Sequence, residues 1–362
     1  VVPRLDNAMT DRCPPYSFEA GVRTRHMSYD ELRDELRTPS APSIVAFPDG
    51  SVDIYCRVRD GDGYVSSREG FGSELSDGAE SFRLEPRDRE AGGQAVNMAT
   101  QAHALGGRVT LFGHLDHPTF ADLPYANRSM GEPASVSVVE LEGDAVMLVT
   151  EPEAIREWTI ADLRVAAGGD LTGVFDADGV CCGNVTSFPA LTDMFRYLAS
   201  RGGSGGAFVF DPGDLTDVTD DFVADCFDAL ADLDARFDVV VSVNRPELEL
   251  LAEQVGASRR SDARKLDAVR ANANVSAVVY HGKSRAVAAT RDGTVTVENL
   301  PVSTVERTTG AGDRFSGGMT FALAVGMEWE PVLALANACS SWRVERGTTA
   351  ERDDVRKLIP EG

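Results

Sequence analysis

Apolar and polar residues alternate along two stretches of this chain, residues 55 to 75 and 134 to 150. In the second, Val136-Ser137-Val138-Val139-Glu140-Leu141 leads through an Asp/Gly turn into a further run from Ala145 to Thr150. A period of two puts successive side chains on opposite faces of a strand, so both stretches predict antiparallel strands of one small sheet. The pattern changes at about residue 160. Helical periods then alternate with short β-rich runs at Gly179 to Cys182, Ala207 to Phe210, Phe237 to Val243 and Ala277 to Tyr280, after an earlier apolar run at Ser43 to Phe47. Such alternation predicts βαβ units on a parallel sheet, whose ligands sit beyond the carboxyl ends of the strands.

The ends and glycine clusters add punctuation. Residues 1 to 26 have no apolar periodicity, and Ser28 with Glu31 forms a capping box that opens a short helix through Arg37. Met27 is therefore the expected start, and Thr38-Pro39-Ser40-Ala41-Pro42 reads as a linker. Gly202-Gly203-Ser204-Gly205-Gly206 comes before a strand, where a dinucleotide turn would follow one, and predicts a loop.

Composition narrows the function classes. The 362 residues are 43% hydrophobic, yet no run approaches the roughly 18 apolar residues that a membrane span needs. A formal charge of −23 repels phosphate backbones and anionic lipids, which argues against nucleic-acid and membrane partners. Lys265, Lys283 and Lys357 are the only lysines, and acids are spread along the whole chain, as in a protein suited to a halophilic cytoplasm. No secretory signal pattern opens the chain, so a cytoplasmic protein is expected. Cys13, Cys56, Cys181, Cys182, Cys226 and Cys339 form no CxxC pair and predict buried free thiols without a metal. The five histidines have no acidic partners at ligand spacing, which predicts structural or surface roles.

The segment richest in chemistry is Thr308-Thr309-Gly310-Ala311-Gly312-Asp313-Arg314-Phe315-Ser316-Gly317-Gly318, which leads into an apolar helix from Met319 to Val325. Small residues ahead of a helix let backbone N–H groups converge on an anion. A carboxylate beside that anion suits phosphoryl transfer, because it can take the attacking hydroxyl's proton. A first-turn carboxylate also stabilises a helix dipole, so Asp313 alone does not decide between the two roles. The wider segment resembles the C-terminal signature of the ribokinase-like (PfkB) carbohydrate kinase family. That resemblance implies that Gly310, Ala311 and Gly312 cradle the phosphate and that Asp313 is the catalytic base.

Two further segments carry the same resemblance. Gly92-Gly93-Gln94-Ala95-Val96-Asn97, followed by Gly106 and Leu111-Phe112-Gly113, is similar to the family's first signature. It implies that Gly92 and Gly93 let the backbone approach a sugar whose hydroxyls Asn97 binds, and an amide suits a vicinal diol because it both donates and accepts. Asp53, in Asp49-Gly50-Ser51-Val52-Asp53, falls where the family anchors sugar hydroxyls, and Asn184 falls near the acceptor. Asn244-Arg245-Pro246-Glu247 matches the family's Asn-x-x-Glu motif, implying nucleotide contact by Asn244 and magnesium held by Glu247 through water. The same four residues also make an ordinary helix start. Gly282 and Asn337 take positions that the family uses around the nucleotide. Arg307 and Arg285 depart from the family pattern, the first from an Asp of a monovalent-cation site and the second from a nucleotide-loop glycine.

The resemblance implies an α/β fold, a ribokinase-like three-layer α/β/α sandwich with a mostly parallel central sheet and a small β-sheet lid. Residues 1–42 are then an extension and linker and 43–362 the kinase domain, with lid segments near 55–90 and 119–155. It implies phosphorylation of a hydroxyl by ATP with Mg2+, and a homodimer paired through the lid. The acceptor stays open between a free sugar, a nucleoside and a sugar phosphate, for which Arg87, Arg89 and Arg128 are candidate ligands; ADP stays open as donor. A catalytically silent sugar-binding regulator is the non-enzyme alternative. Because dissolved salt screens the self-repulsion of so acidic a surface, stability and activity are expected to rise in molar potassium chloride. A melting and activity series in increasing salt checks this, and better behaviour in dilute buffer would contradict it.

Overall fold

The apolar runs after residue 40 become strands because β-branched and aromatic side chains fill both faces of a sheet that is covered on each side. The computed structural model describes residues 29–216 and 218–359. Its first half runs α1 (29–35), β1 (Ser43–Phe47), β2 (Ser51–Asp60), β3 (Gly63–Tyr64), α2 (Arg68–Ser76), β4 (Leu84–Gly92), α3 (Gln94–Ala104), β5 (Arg108–Gly113), β6 (Ala126–Ser129), β7 (Ala134–Leu141) and β8 (Asp144–Thr150). Next come α4 (Glu153–Arg156), α5 (Ile160–Ala166), β9 (Gly179–Gly183), α6 (Leu191–Ala199), β10 (Ala207–Asp211), α7 (Asp220–Leu233), β11 (Asp238–Val243), α8 (Arg245–Gln254) and α9 (Asp262–Ala273). The chain closes with β12 (Ala277–His281), β13 (Arg285–Thr290), β14 (Thr294–Glu298), α10 (Ala311–Ala324), α11 (Trp329–Arg346) and α12 (Arg352–Leu358).

Nine strands form the central sheet in the order β14-β13-β12-β11-β10-β9-β1-β5-β6. All neighbours from β12 to β6 are parallel, and β13 and β14 add an antiparallel edge. Alternation along each strand sorts the core into two layers. Phe47, Cys182, Phe208, Phe210, Val241 and Val278 face α5 to α9, while Ala46, Cys181, Val209, Val240 and Val279 face α1, α3, α10, α11 and α12. Large rings thus fill the first layer and smaller side chains the second, which lets α10 lie close over the strand ends. The five thiols among the described residues are free and buried, as expected, and Cys13 lies outside the described residues.

The lid is a five-stranded sheet in which the long β2 pairs with β3, β4 and β7, and β8 adds to β7. Three local readings need correction. Residues 68–76 are helical: the Ser67 hydroxyl caps the helix by accepting from the Gly70 amide at 3.0 Å, so the alternation holds only to about residue 60. β6 pairs with β5 and joins the central sheet, so the second lid segment reduces to β7 and β8. The helix after the glycine-rich segment begins at Ala311, eight residues before Met319, because Ala311 and Gly312 already have helical geometry.

The described part of the N-terminal extension is built into the core. Tyr29, Leu32 and Leu36 are buried in the layer beside α11, and the Tyr29 hydroxyl donates to the Glu298 carbonyl at 2.9 Å. The expected Ser28 capping box and the Met27 start lie outside the described residues. Leu32→Ala is expected to cost about 2–4 kcal/mol of folding stability, as for any fully buried leucine. Denaturant unfolding of the two proteins checks it, and an unchanged midpoint would show the extension to be dispensable.

Candidate active site

The carboxyl ends of β1, β9, β10 and β11 face the lid across a cleft of about 950 Å3. Its floor is organised by Asp49, in the turn after β1. Asp49 Oδ2 accepts from the Gln94 amide at 2.9 Å and Oδ1 from the Ala95 amide at 2.7 Å, so one carboxylate caps the first turn of α3. The Asn184 side chain donates to the same carboxylate at 3.3 Å. Burial raises the Asp49 carboxyl to about 6 against these bonds, and the Asp313 charge adds to the rise.

Opposite it stands the N-terminus of α10. Gly310 has φ of 76°, the left-handed region that a side chain would strain, and it turns the chain into α10 where Gly310, Gly312 and Asp313 line the cleft. Asp313 lies one turn in, and its Oδ2 accepts a hydrogen bond of 2.7 Å from Asn97 Nδ2 on α3. Gly317 makes this meeting possible: a Cβ there would fall 2.5 Å from the Met98 carbonyl oxygen, so α10 and α3 touch backbone to backbone.

Three more carboxylates converge on the cleft. Asp53 on β2 lies over Gly92 of β4, where a Cβ would fall 2.2 Å from Asp53 Oδ2, and it accepts from the Ser51 hydroxyl. Burial raises Asp53 to about 6, and the Asp313 and Glu90 charges add to it. Asp211 ends β10 and accepts from Gln94 Nε2 at 2.8 Å and the Ser316 hydroxyl at 3.1 Å. Glu247 closes a reciprocal capping box with Asn244, accepting from the Asn244 amide at 2.9 Å while the Glu247 amide donates to Asn244 Oδ1 at 3.1 Å. Burial lifts both Asp211 and Glu247 well above the carboxylate range; the Asp313 charge lifts Asp211 further, and the Asp211 charge lifts Glu247.

The cleft therefore brings together Asp313, Gly310, Gly312, Asp53, Gly93, Asn97, Asn184, Asn244 and Glu247. Ala311 is the first residue of α10, and Gly92 serves by making room for Asp53. Gly282 and Asn337 do not line it. Gly282 sits in the β12–β13 turn, its carbonyl accepting from Asn299 Nδ2 at 2.8 Å, and Asn337 is 1% exposed and donates to the Val297 carbonyl at 3.2 Å. Arg285 is drawn away by Asp262, which also holds Arg245.

Sequence reasoning missed Asp49, Asp211 and His281. Asp49 and Asp211 had a signal, since each is an acid closing an apolar strand of a parallel sheet on the ligand side. The His281 ring lies 5.0 Å from Phe315 and against Gly312, and it lines the cleft where a structural or surface role was expected. Burial alone holds His281 at about 4, so its imidazole is neutral.

A family model described as prokaryotic ketohexokinase matches residues 66–361. The chain belongs to the prokaryotic ketohexokinase family. A ketohexokinase of Haloferax volcanii is 26% identical over 325 residues, 84% of each protein. The ribokinase of Thermotoga maritima superposes with a TM-score of 0.62 at 16% identity, over 88% of this chain and 99% of that one. The Arabidopsis thaliana ribokinase complexed with ribose and ATP gives a TM-score of 0.62 at 18% identity, over 89% and 100%. Fructokinase from Xylella fastidiosa with bound ATP gives 0.62 at 16%, over 88% and 98%. This ketohexokinase-family chain thus has the ribokinase fold, as its two signature segments implied, and it is a carbohydrate kinase that phosphorylates a hydroxyl. The silent-regulator alternative is set aside.

A carboxyl whose pKa is raised on folding keeps a proton that the unfolded chain releases. Asp49 and Asp53 therefore contribute stability that is complete below their ordinary value of 3.8 and lost as pH rises through about 6. Asp53→Asn is expected to stabilise the ligand-free kinase by about 1–3 kcal/mol near pH 8 and not near pH 4. Thermal melts of both proteins at the two pH values check this, and equal shifts at both would exclude a raised Asp53.

Proposed function

We propose that this carbohydrate kinase passes the γ-phosphoryl group of ATP to a primary hydroxyl of a ketohexose, with Asp313 as general base. The observation that carries the reading is the Asn97–Asp313 hydrogen bond. It joins the helix of the acceptor-side signature to the helix whose N-terminus attracts anions, and an acceptor hydroxyl between them meets base and phosphate together. Asp313 takes the hydroxyl proton, the oxygen attacks phosphorus in line, and the bond to the leaving ADP oxygen breaks. The amides of Gly310, Gly312 and Asp313 receive the developing charge. Asn97 orients the base through Nδ2 and keeps its carbonyl oxygen for a second hydroxyl, while Asp53 accepts another.

Charge favours a neutral acceptor. Among the described residues eight carboxylates line the cleft, namely Asp49, Asp53, Asp144, Glu151, Asp211, Asp214, Glu247 and Asp313. Among the described residues Arg68 is the one basic lining residue, and Asp144 already pairs with it at 2.7 Å. Arg87, Arg89 and Arg128 lie off this cleft, and Arg87 pairs with Glu140 at 3.4 Å. A sugar phosphate would find no unpaired cation among the described residues that line the cleft, whereas Val136, Ala145, Met147 and Val149 offer the lid side of the cleft to the carbon face of a free sugar.

The same excess of carboxylates suits a donor that arrives with Mg2+. Mg2+ keeps waters and phosphate oxygens alongside one or two carboxylates. Glu247 and Asp211 would hold it, and it would neutralise charge on the phosphates. Asn244, neutral His281 and Thr308 border the donor side.

A homodimer through the lid is supported by β8, an edge strand that exposes Leu148 on the face turned from the cleft. No helix among the described residues is long and apolar enough to cross a membrane. The acidic composition and the Haloferax relative support a salt-rich cytoplasm as its setting. Asp313→Asn is expected to lower kcat on a ketohexose about 10² to 10⁴-fold. Turnover is measured against free sugars, nucleosides and sugar phosphates with ATP and ADP; near-normal turnover in the variant would remove the base, and a preferred phosphorylated acceptor would remove the substrate assignment.

A further inference from the structure

Behind the anion-binding turn lies a buried cluster that the reaction as described does not use. Arg343 on α11 is 4% exposed. Its Nε donates to the Thr309 carbonyl at 3.1 Å and its Nη1 to the Gly347 carbonyl. Its Nη2 reaches the lid, donating to the Tyr55 hydroxyl and to Glu90 Oε2, each at 3.2 Å.

The Thr309 carbonyl belongs to the same planar unit as the Gly310 N–H, and the two point in opposite directions. Drawing the carbonyl back toward Arg343 therefore aims that amide forward. Left to itself the peptide would swing, since Gly310 has no side chain to limit it.

The lid holds the turn at a second point. Glu90 also pairs with Arg307 Nη1 at 2.5 Å, and Arg307 precedes the turn by three residues. Arg307 lies 3.7 Å above the Tyr55 ring and 3.6 Å from both Asp88 and Glu140. Tyr55, Asp88, Glu90 and Glu140 come from β2, β4 and β7, so three lid strands converge on one turn. Glu90 is moreover the direct cross-strand partner of Asp53, the carboxylate on the acceptor side.

We propose that Arg343 and Glu90 are positioning residues for phosphoryl transfer. Arg343 orients the Thr309–Gly310 peptide so that its amide faces the migrating phosphate, and Glu90 links that orientation to the lid strand opposite Asp53. The turn is then in register for transfer when the acceptor-side strands are in place. Lysine at position 343 would keep the charge but not the planar fork that reaches two carbonyls and a carboxylate at once.

The inference rests on the proposed roles of Asp313 and the turn, so the test runs Asp313→Asn beside Arg343→Lys, Arg343→Ala and Glu90→Gln. Arg343→Lys is expected to lose about 10- to 100-fold in kcat, with the sugar KM within about threefold of the parent. Arg343→Ala should recover part of its loss when guanidinium ion is added. Glu90→Gln should lower kcat less, and its loss should not multiply with that of Arg343→Lys. A kcat within about twofold in Arg343→Lys, no rescue of Arg343→Ala, or multiplying losses would each overturn the proposal. Should the Arg343 variants not fold, Glu90→Gln decides alone, since that side chain is 31% exposed, and an unchanged kcat would count against the coupling. Full turnover in Asp313→Asn brings down the base itself, whereas an inactive Asp313→Asn beside a normal Arg343→Lys sinks only the positioning role.

Discussion

Two helices touch where neither has a side chain to keep them apart. Gly317 of α10 meets the Met98 carbonyl of α3, and any Cβ there would overlap it. Because Asp313 lies one turn before Gly317 and Asn97 one residue before Met98, this contact sets the distance between the Asp313 carboxylate and the Asn97 side-chain amide. Gly318 does the same on the α11 side, where a Cβ would fall 2.9 Å from Cys339 Sγ. The site therefore depends on packing several residues away from it, and small side chains in that layer are part of how it works.

The close approach concentrates charge at a cost to the folded state. Asp49, Asp53, Asp211 and Glu247 are all lifted above the ordinary carboxylate range, with burial the leading cause in each case. Asp49 offsets part of its cost by capping α3, and Asp211 by bridging α3 to α10 through Gln94 and Ser316. Fold-stabilising bonds and places in the cleft wall thus fall on the same side chains. The Asn244–Glu247 pair shows it most directly, being at once a complete capping box and part of the cleft wall. The two readings that the four-residue motif allows are not rivals.

Much of the site was legible along the chain because its key residues sit at the ends of apolar runs, where the periodicity breaks. Gly310 to Asp313, Gly93 to Asn97 and Asn244 to Glu247 each follow a strand or turn and open a helix, and local amides give such positions their meaning. Asp49 and Asp211 occupy equivalent places but carry no glycine signature beside a helix, so they stayed unmarked. His281 was invisible for a different reason: what distinguishes it is its place against Gly312 and Phe315, over 30 residues further along.

By itself the sequence determined the alternation of the smaller sheet's strands, the parallel character of the central sheet, and the glycines that turn the chain ahead of α10. These are local properties, written in periods of two and in residues that tolerate unusual backbone angles. Tertiary structure alone decided which acids share one cleft, which arginines are consumed in pairs, and that Arg343 reaches from α11 to both the Thr309–Gly310 turn and Glu90 of the lid. Side chains more than 200 positions apart meet there, and no local pattern encodes a contact whose partners are set by how layers stack.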